Sequence, residues 1–214
     1  GHGAFIAVGA YVAASVLLHL SGYTQVDSLS SNLAATALAA SAAIIVTAIL
    51  GLIFERLLIR PVYGQHLKQI LITMGGFIVA EQALHAIFGA VPVSLPLPTS
   101  FRGSFNFGDI TIEKFRLGAM LVGLAVFLMT SVMLTKTKIG LLVRAGVENP
   151  EMVESLGYRV RRLFVAVFVA GSALAGLGGS LWALYRETVT AAMGMEIMVL
   201  VFIVIIVGGL GSIG

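Results

Sequence analysis

The sequence predicts an all-α membrane protein, a polytopic bundle of transmembrane helices. Hydrophobic residues make up 58% of the 214-residue chain and charged residues only 11%, whereas about a quarter of an ordinary soluble domain is charged. The mean hydropathy is +1.03. The apolar residues form continuous runs close to the ~20 residues with which a helix crosses a bilayer. Such runs are too long for barrel strands, so transmembrane helices are expected.

Six apolar runs define the predicted transmembrane helices. They cover residues 3–20, 33–54, 69–89, 117–135, 163–185 and 197–214. The chain begins without a methionine and ends inside an apolar, glycine-rich run. We therefore expect residues 1–214 to form a single transmembrane domain that is incomplete at both ends.

The basic residues predict the orientation of these helices. With the N-terminus inside, loops 55–68 and 136–162 carry nine of the 13 lysine and arginine residues, and the outer segments carry four. Basic residues favour the cytoplasmic side, so both loops are predicted to be cytoplasmic. The pI of about 9.5 then reflects membrane topology and gives no reason to expect nucleic acid as a partner.

The segment 89–114 is predicted to be the longest outer loop. Its prolines at 92, 96 and 98 keep the residues before them out of helical conformation. Residues 105–112 alternate in the manner of a small β-hairpin with its turn at Gly108-Asp109. Three interpretations stay open: a structured connector, a surface that receives a soluble delivery protein, and a cap over the outer mouth of the protein.

A short polar helix is predicted within the second cytoplasmic loop, over residues 149–157. Asn149 is a suitable N-cap, Pro150 suits the first helical position, and Gly157 suits the C-terminal end. A helix this short does not persist alone in water, so we expect it to dock against a partner protein. We call this helix the coupling site, because docking would couple the chain to its partner. The residues assigned to it are Asn149, Pro150, Glu151, Met152, Val153, Glu154, Leu156 and Gly157.

The third predicted span contains one acid, Glu81, with His85 one turn later and Thr73 on the same helix face. A charge inside the bilayer is costly and normally faces a cavity or a partner. These three residues are therefore candidates to line or gate a path, or to contact a substrate amine. The alternative is structural, with Glu81 bonded to Gln82, to His85 or to a neighbouring helix.

Small residues recur every four positions on the fifth predicted span, at Gly171, Ala175 and Gly179. Gly9 and Ala13 have the same spacing on the first span. Small residues at this spacing let helices approach closely, so the pattern predicts helix packing.

The chain offers no candidate catalytic residue, metal site or cofactor site. It has no cysteine, so thiolate chemistry is excluded. Its glycine clusters are not followed by the Lys-Ser/Thr pair that a phosphate-binding loop requires. We therefore expect that this chain does not itself hydrolyse ATP.

Several motifs, in order along the chain, resemble those of permease subunits of ATP-binding-cassette importers for branched-chain and other hydrophobic amino acids, the LivH/LivM-like family. They are Gly1-His-Gly-Ala-Phe5, Glu55-Arg56 with Arg60-Pro61, residues 137–145, 173–179 and 208–213. Glu151 and Gly157 also have the spacing of the motif with which importer permeases dock on their ATPases. The commonest version of that motif has two alanines where this chain has Met152-Val153.

The resemblance implies a set of partners. These are an identical or paralogous permease subunit, two cytoplasmic ATPase subunits, an extracytoplasmic substrate-binding protein and the lipid bilayer of a bacterial or archaeal inner membrane. Branched-chain or other hydrophobic amino acids are the expected substrates, while urea, amides and other amino acids stay open as alternatives. A further alternative is a proton-coupled secondary transporter in which Glu81 carries the proton; the chain has few intramembrane acids and histidines to support it.

Overall fold

The computed structural model of the chain describes residues 2–107 and 110–208. It confirms the predicted fold class, because almost every long element is an α-helix. Within the described residues the α-helices are α1 (His2–His19), α2 (Ser21–Thr24), α3 (Leu29–Phe54), α4 (His66–Phe88), α5 (Lys114–Lys136), α6 (Lys138–Glu148), α7 (Pro150–Ser155), α8 (Val160–Arg186) and α9 (Met193–Gly208).

Five of the described helices are long and apolar enough to cross a membrane: α1, α3 with its C-terminal extension to Val62, α4, α5 and α8. They correspond to the first five predicted spans. Helix α9, in the region of the sixth, is apolar but comprises 16 described residues. Residues 209–214, which include most of the motif at 208–213, lie outside the described part of the chain, as does Gly1.

The chain divides into two compact units, Gly1–Ser100 with Val169–Gly214, and Phe101–Phe168. In the first unit, α1 packs extensively on α3 and also contacts α9 and α4. Many of the buried side chains of α1 and α3 are small, and Ala10, Ala13, Ala39 and Ala43 are almost completely buried. Small residues allow helix backbones to approach closely, which favours association in lipid.

Short strands complete the first unit. Strand β1 (Val93–Ser94) pairs antiparallel with β4 (Thr188–Val189). Beyond this pairing, the backbone N–H of Leu95 donates to the Glu187 carbonyl at 2.9 Å, and that of Leu97 donates to the Glu187 carboxylate at 3.3 Å. Hydrogen bonds therefore hold the proline-containing segment against residues 187–189, which directly follow α8.

The second unit contains a β-hairpin and the helices α5, α6 and α7. Strands β2 (Ser104–Phe107) and β3 (Ile110–Glu113) pair antiparallel, as predicted for this segment; the predicted turn at Gly108-Asp109 lies outside the described residues. Helix α6 follows α5 after a single residue, Thr137, whose hydroxyl accepts from the Gly140 N–H at 3.2 Å. A side chain at Gly140 would collide with the Leu134 carbonyl, so glycine permits this sharp turn.

Candidate functional site

Helix α7 begins at a side-chain cap. The Asn149 side-chain oxygen accepts a hydrogen bond from the Met152 N–H at 3.0 Å. Pro150 occupies the first helical position, where its missing N–H costs nothing. Glu151 lies in the first turn, where the positive end of the helix dipole favours a carboxylate. The local sequence therefore fixes where this helix starts.

The C-terminal end of α7 is a Schellman motif. The Tyr158 N–H donates to the Val153 carbonyl at 3.3 Å, and the Gly157 N–H donates to the Glu154 carbonyl at 2.9 Å. Gly157 has φ +86°, a left-handed conformation that glycine adopts without steric cost. Helix α7 is thus closed by its own backbone at a defined residue.

One side chain anchors α7, and the rest of it faces outward. Val153 is 4% exposed, while Met152 and Leu156 are 62% and 67% exposed. Glu151 and Glu154 are also exposed. Apolar side chains four residues apart on an exposed helix, accompanied by carboxylates, form the kind of face that docks into a groove of another protein.

A crevice of about 300 Å³ adjoins the buried side of α7 within the second unit. Val153, Tyr158 and Leu142 contribute to its mainly apolar lining. Val160 is also nearly inaccessible. Its side chain packs beside α6, because a carbon added at Gly146 would lie 3.3 Å from the Val160 side chain. Basic side chains are exposed around this region: Arg144, Arg159, Arg161 and Arg162.

The structure places the candidate path residues Thr73, Glu81 and His85 on α4. Glu81 and His85 are half-buried, and neither side chain has a hydrogen bond or ion pair within the described residues. The Thr73 hydroxyl donates to the Ile70 carbonyl of its own helix at 2.9 Å. The structural interpretation expected a bond from Glu81 to Gln82, to His85 or to a neighbouring helix, and the described part of the chain provides none.

The predicted packing residues on α8 have different surroundings. A side chain at Gly179 would collide with the Ile6 carbonyl of α1, and a carbon added at Gly171 would lie 3.3 Å from the His2 ring. Ala175 is half-buried. Gly176, which the spacing pattern did not single out, is also crowded, because an added carbon there would collide with Thr47 and Ala43.

Sequence reasoning also missed a buried carboxyl group. Glu55 is fully inaccessible, and its Oε1 accepts a hydrogen bond from the Tyr63 hydroxyl at 2.8 Å. Its Oε2 has no hydrogen-bond partner among the described residues. A signal was present in the sequence, because Glu55 directly follows the uncharged predicted span 33–54, but the prediction of topology assigned it to the cytoplasmic loop 55–68.

Metal binding has no structural support in the described ranges, which contain no group of three or more histidine, cysteine, aspartate or glutamate side chains placed to hold an ion.

The long apolar helices are those of a multi-pass membrane protein, and α7 is a short, capped helix exposed on one of its connecting segments. A family model described as "Branched-chain amino acid transport system / permease component" matches residues 1–214. The chain therefore belongs to this family of transport permeases.

Individual relatives agree with that family. The chain is 27% identical over 220 residues to the high-affinity branched-chain amino acid transport system permease protein BraD of Pseudomonas aeruginosa. This match covers 99% of the chain and 69% of BraD. It is 30% identical over 144 residues to a Methanocaldococcus jannaschii protein named "Probable branched-chain amino acid transport permease protein LivH", covering 67% of this chain and 44% of that protein. It is 23% identical over 218 residues to Escherichia coli LivH, covering 99% and 69%. No solved structure gives a significant match.

Proposed function

We propose that this chain is a membrane-spanning subunit of an ATP-driven importer in a bacterial or archaeal plasma membrane, and that it helps to form the path for branched-chain or similar hydrophobic amino acids. The substrate follows from the family and from the names of its relatives. ATP hydrolysis belongs to separate cytoplasmic subunits in this proposal. An extracytoplasmic binding protein delivers the amino acid, and a second permease subunit completes the membrane core.

The observation that carries the proposal is the outward face of α7. Met152 and Leu156 expose apolar surface that water does not favour, on a helix held to its own chain chiefly through Val153. A soluble ATPase that covers this face buries the apolar side chains and meets the carboxylates of Glu151 and Glu154. Movement of the ATPase then moves α7, and rigid helices carry the movement into the membrane.

Uptake by the full-length transporter in reconstituted vesicles tests this function. We expect radiolabelled leucine to accumulate when ATP and the ATPase subunits are present, and not when a proton gradient is the only energy source. Leucine uptake driven by the proton gradient without ATP would support a secondary transporter and contradict the proposal. ATP-dependent uptake of urea or acetamide in place of leucine would contradict the substrate class.

A pair of variants tests the role of α7. Replacing Met152 and Leu156 with serine removes the exposed apolar face and should reduce recovery of the ATPase with the purified permease. Val147→Ser is the matched control, because Val147 is 71% exposed on the neighbouring helix α6 and lies outside the proposed face. Equal ATPase recovery for all three proteins would contradict docking through α7.

A further inference from the structure

Glu55 continues the buried face of α3. Thr47 and Gly51 precede it at intervals of four residues, and all three are buried. Ile59, four residues further on, is 9% exposed. The carboxyl group therefore enters the packed interior of the first unit, where charged side chains are seldom found unless they have partners.

Tyr63 supplies the hydrogen bond that this carboxyl group has within the described residues. Its hydroxyl donates to Glu55 Oε1 at 2.8 Å, while Oε2 has no partner. A buried polar group without a hydrogen bond is costly, so a single bond to such a group has more effect than the same bond on the surface. Loss of the Tyr63 hydroxyl would leave both carboxyl oxygens unsatisfied.

The backbone between these two residues is unusual. Glu55–Ile59 is a π-helical turn, closed by the Arg60 N–H bonding to the Glu55 carbonyl, and Arg60–Val62 is a 3₁₀ turn. Turns of the π type are rare and occur mostly as single turns inside α-helices, often at functional sites. Tyr63 reaches Glu55 across these two turns, and the chain then reverses at Gly64, which has φ +84°, before α4 begins.

The sequence predicts that residues 55–68 form a cytoplasmic loop. Its side chains Arg56, Arg60 and Gln65 are exposed, whereas Ile59 and Val62 are buried. The loop thus has one anchored face and one free face. If the π turn relaxed to an ordinary α-helix, the residues after it would rotate about the axis, and the anchored face would leave the core.

We propose that Glu55 and Tyr63 are positioning residues, a buried clamp that fixes segment 60–65 against the membrane helices, and that transport depends on the position so fixed. The inference rests on the proposed transport function, and it assigns to this loop a role separate from that of α7. Neither residue contacts substrate in the proposal. The clamp fixes the segment before α4 relative to α3, because its hydrogen bond joins Glu55, directly after α3, to Tyr63, three residues before α4.

Three variants in the full-length transporter separate positioning from general stability. Tyr63→Phe removes the donor and leaves a bare carboxyl group. Glu55→Gln keeps an oxygen that accepts from Tyr63. The double variant Glu55→Met with Tyr63→Phe removes both polar groups, so no buried group is left unsatisfied. Tyr11→Phe is the matched control, because Tyr11 is 2% exposed and stacks on Phe88, with no hydrogen bond from its hydroxyl among the described residues.

The direct readout is the mobility of a spin label attached to cysteine at position 65, measured by electron paramagnetic resonance. We expect Tyr63→Phe to increase this mobility and to lower ATP-driven leucine uptake by about tenfold, the size that loss of a buried partner suggests. Glu55→Gln and Tyr11→Phe should resemble wild type. The double variant should be as abundant as wild type, because it leaves no buried polar group unsatisfied. Its spin label should nevertheless be as mobile, and its leucine uptake as low, as in Tyr63→Phe.

Two results would overturn the clamp. One is a label spectrum for Tyr63→Phe that matches those of wild type and Tyr11→Phe. The other is a double variant in which uptake recovers together with abundance, which would mean that the pair contributes stability alone. Failure of the transport proposal gives a different result, because wild type itself would then show no ATP-driven leucine uptake, while the label spectra would still report on the clamp.

Discussion

Gly9 and Gly176 lie in direct backbone contact. A side-chain carbon added at Gly9 would lie 2.5 Å from the Cα of Gly176, and one added at Gly176 would lie 2.9 Å from the Ala43 carbonyl oxygen. Both distances are too short for real carbon contacts. Gly176 therefore lies where α1, α3 and α8 meet, and each of these helices needs the absence of a side chain at this point.

A leucine at position 176 should force these helices apart. We expect Gly176→Leu to destabilise the folded protein by ~1–3 kcal/mol or more, as overpacking of a filled core does. The measurement is the midpoint of thermal unfolding of the purified transporter in detergent. Gly178→Leu is the control, since Gly178 lies two residues away on the same helix and a carbon added there meets nothing within 4 Å. Equal midpoints for both variants would refute the argument.

The packing of α8 shows what the sequence could not provide. The spacing of Gly171, Ala175 and Gly179 predicted a close-packed helix, but it did not distinguish Gly176 and Ser172, which are buried. In a soluble helix, polar residues mark the face that points away from the core. A helix surrounded by lipid is apolar on its outer face as well. Sequence therefore identifies the helix more readily than the face that packs.

The predicted ends of α7 contrast with that outcome. Asn149 and Gly157 form hydrogen bonds with residues a few positions away, and Pro150 suits the first helical position through its own backbone. Such local effects can be predicted from sequence alone. The Glu55–Tyr63 bond was not predictable in this way. It depends on a π turn, which has no strong sequence signature, and on the burial of a residue that the charge count had placed in a loop.

The role of Glu81 can be separated from protein abundance. If Glu81 contacts substrate or gates the path, Glu81→Gln should lower leucine uptake while the amount of assembled transporter stays constant. Its half-buried carboxyl group has no hydrogen bond within the described residues, so the substitution breaks no described contact. Asp27→Asn makes the same chemical change at an exposed position and should leave uptake unchanged. A loss confined to abundance would instead favour a structural role.

The predicted topology can be tested with single introduced cysteines, because the 214-residue sequence contains no cysteine. Ser104, at the start of β2, and Ser155, at the end of α7, are both exposed. We expect a membrane-impermeant maleimide added to intact cells to label cysteine at position 104 and not at position 155. Inverted vesicles should give the opposite pattern. The reverse result in both preparations would exclude the orientation predicted from the basic residues.

The sharpest test of coupling is at Gly157. Valine is β-branched and does not tolerate the left-handed conformation at φ +86°, so Gly157→Val should cost ~1–3 kcal/mol at this position or displace the end of α7. Either outcome moves Leu156 and the carboxylates away from the ATPase. We therefore expect ATP hydrolysis to continue with little uptake, or the ATPase to be lost on purification. The measurement is the ratio of leucine transported to ATP hydrolysed in reconstituted vesicles.

Asparagine provides the control at the same position, because it enters the left-handed region far more readily than valine. Gly157→Asn should preserve the Schellman motif and most of the coupling ratio, whereas Gly157→Val should not. Asn149→Ala, which removes the cap at the other end of α7 at a cost of about 1 kcal/mol, should give an intermediate loss. If Gly157→Val retains both the ATPase and the wild-type ratio, the position of α7 does not control transport, and the coupling assignment fails.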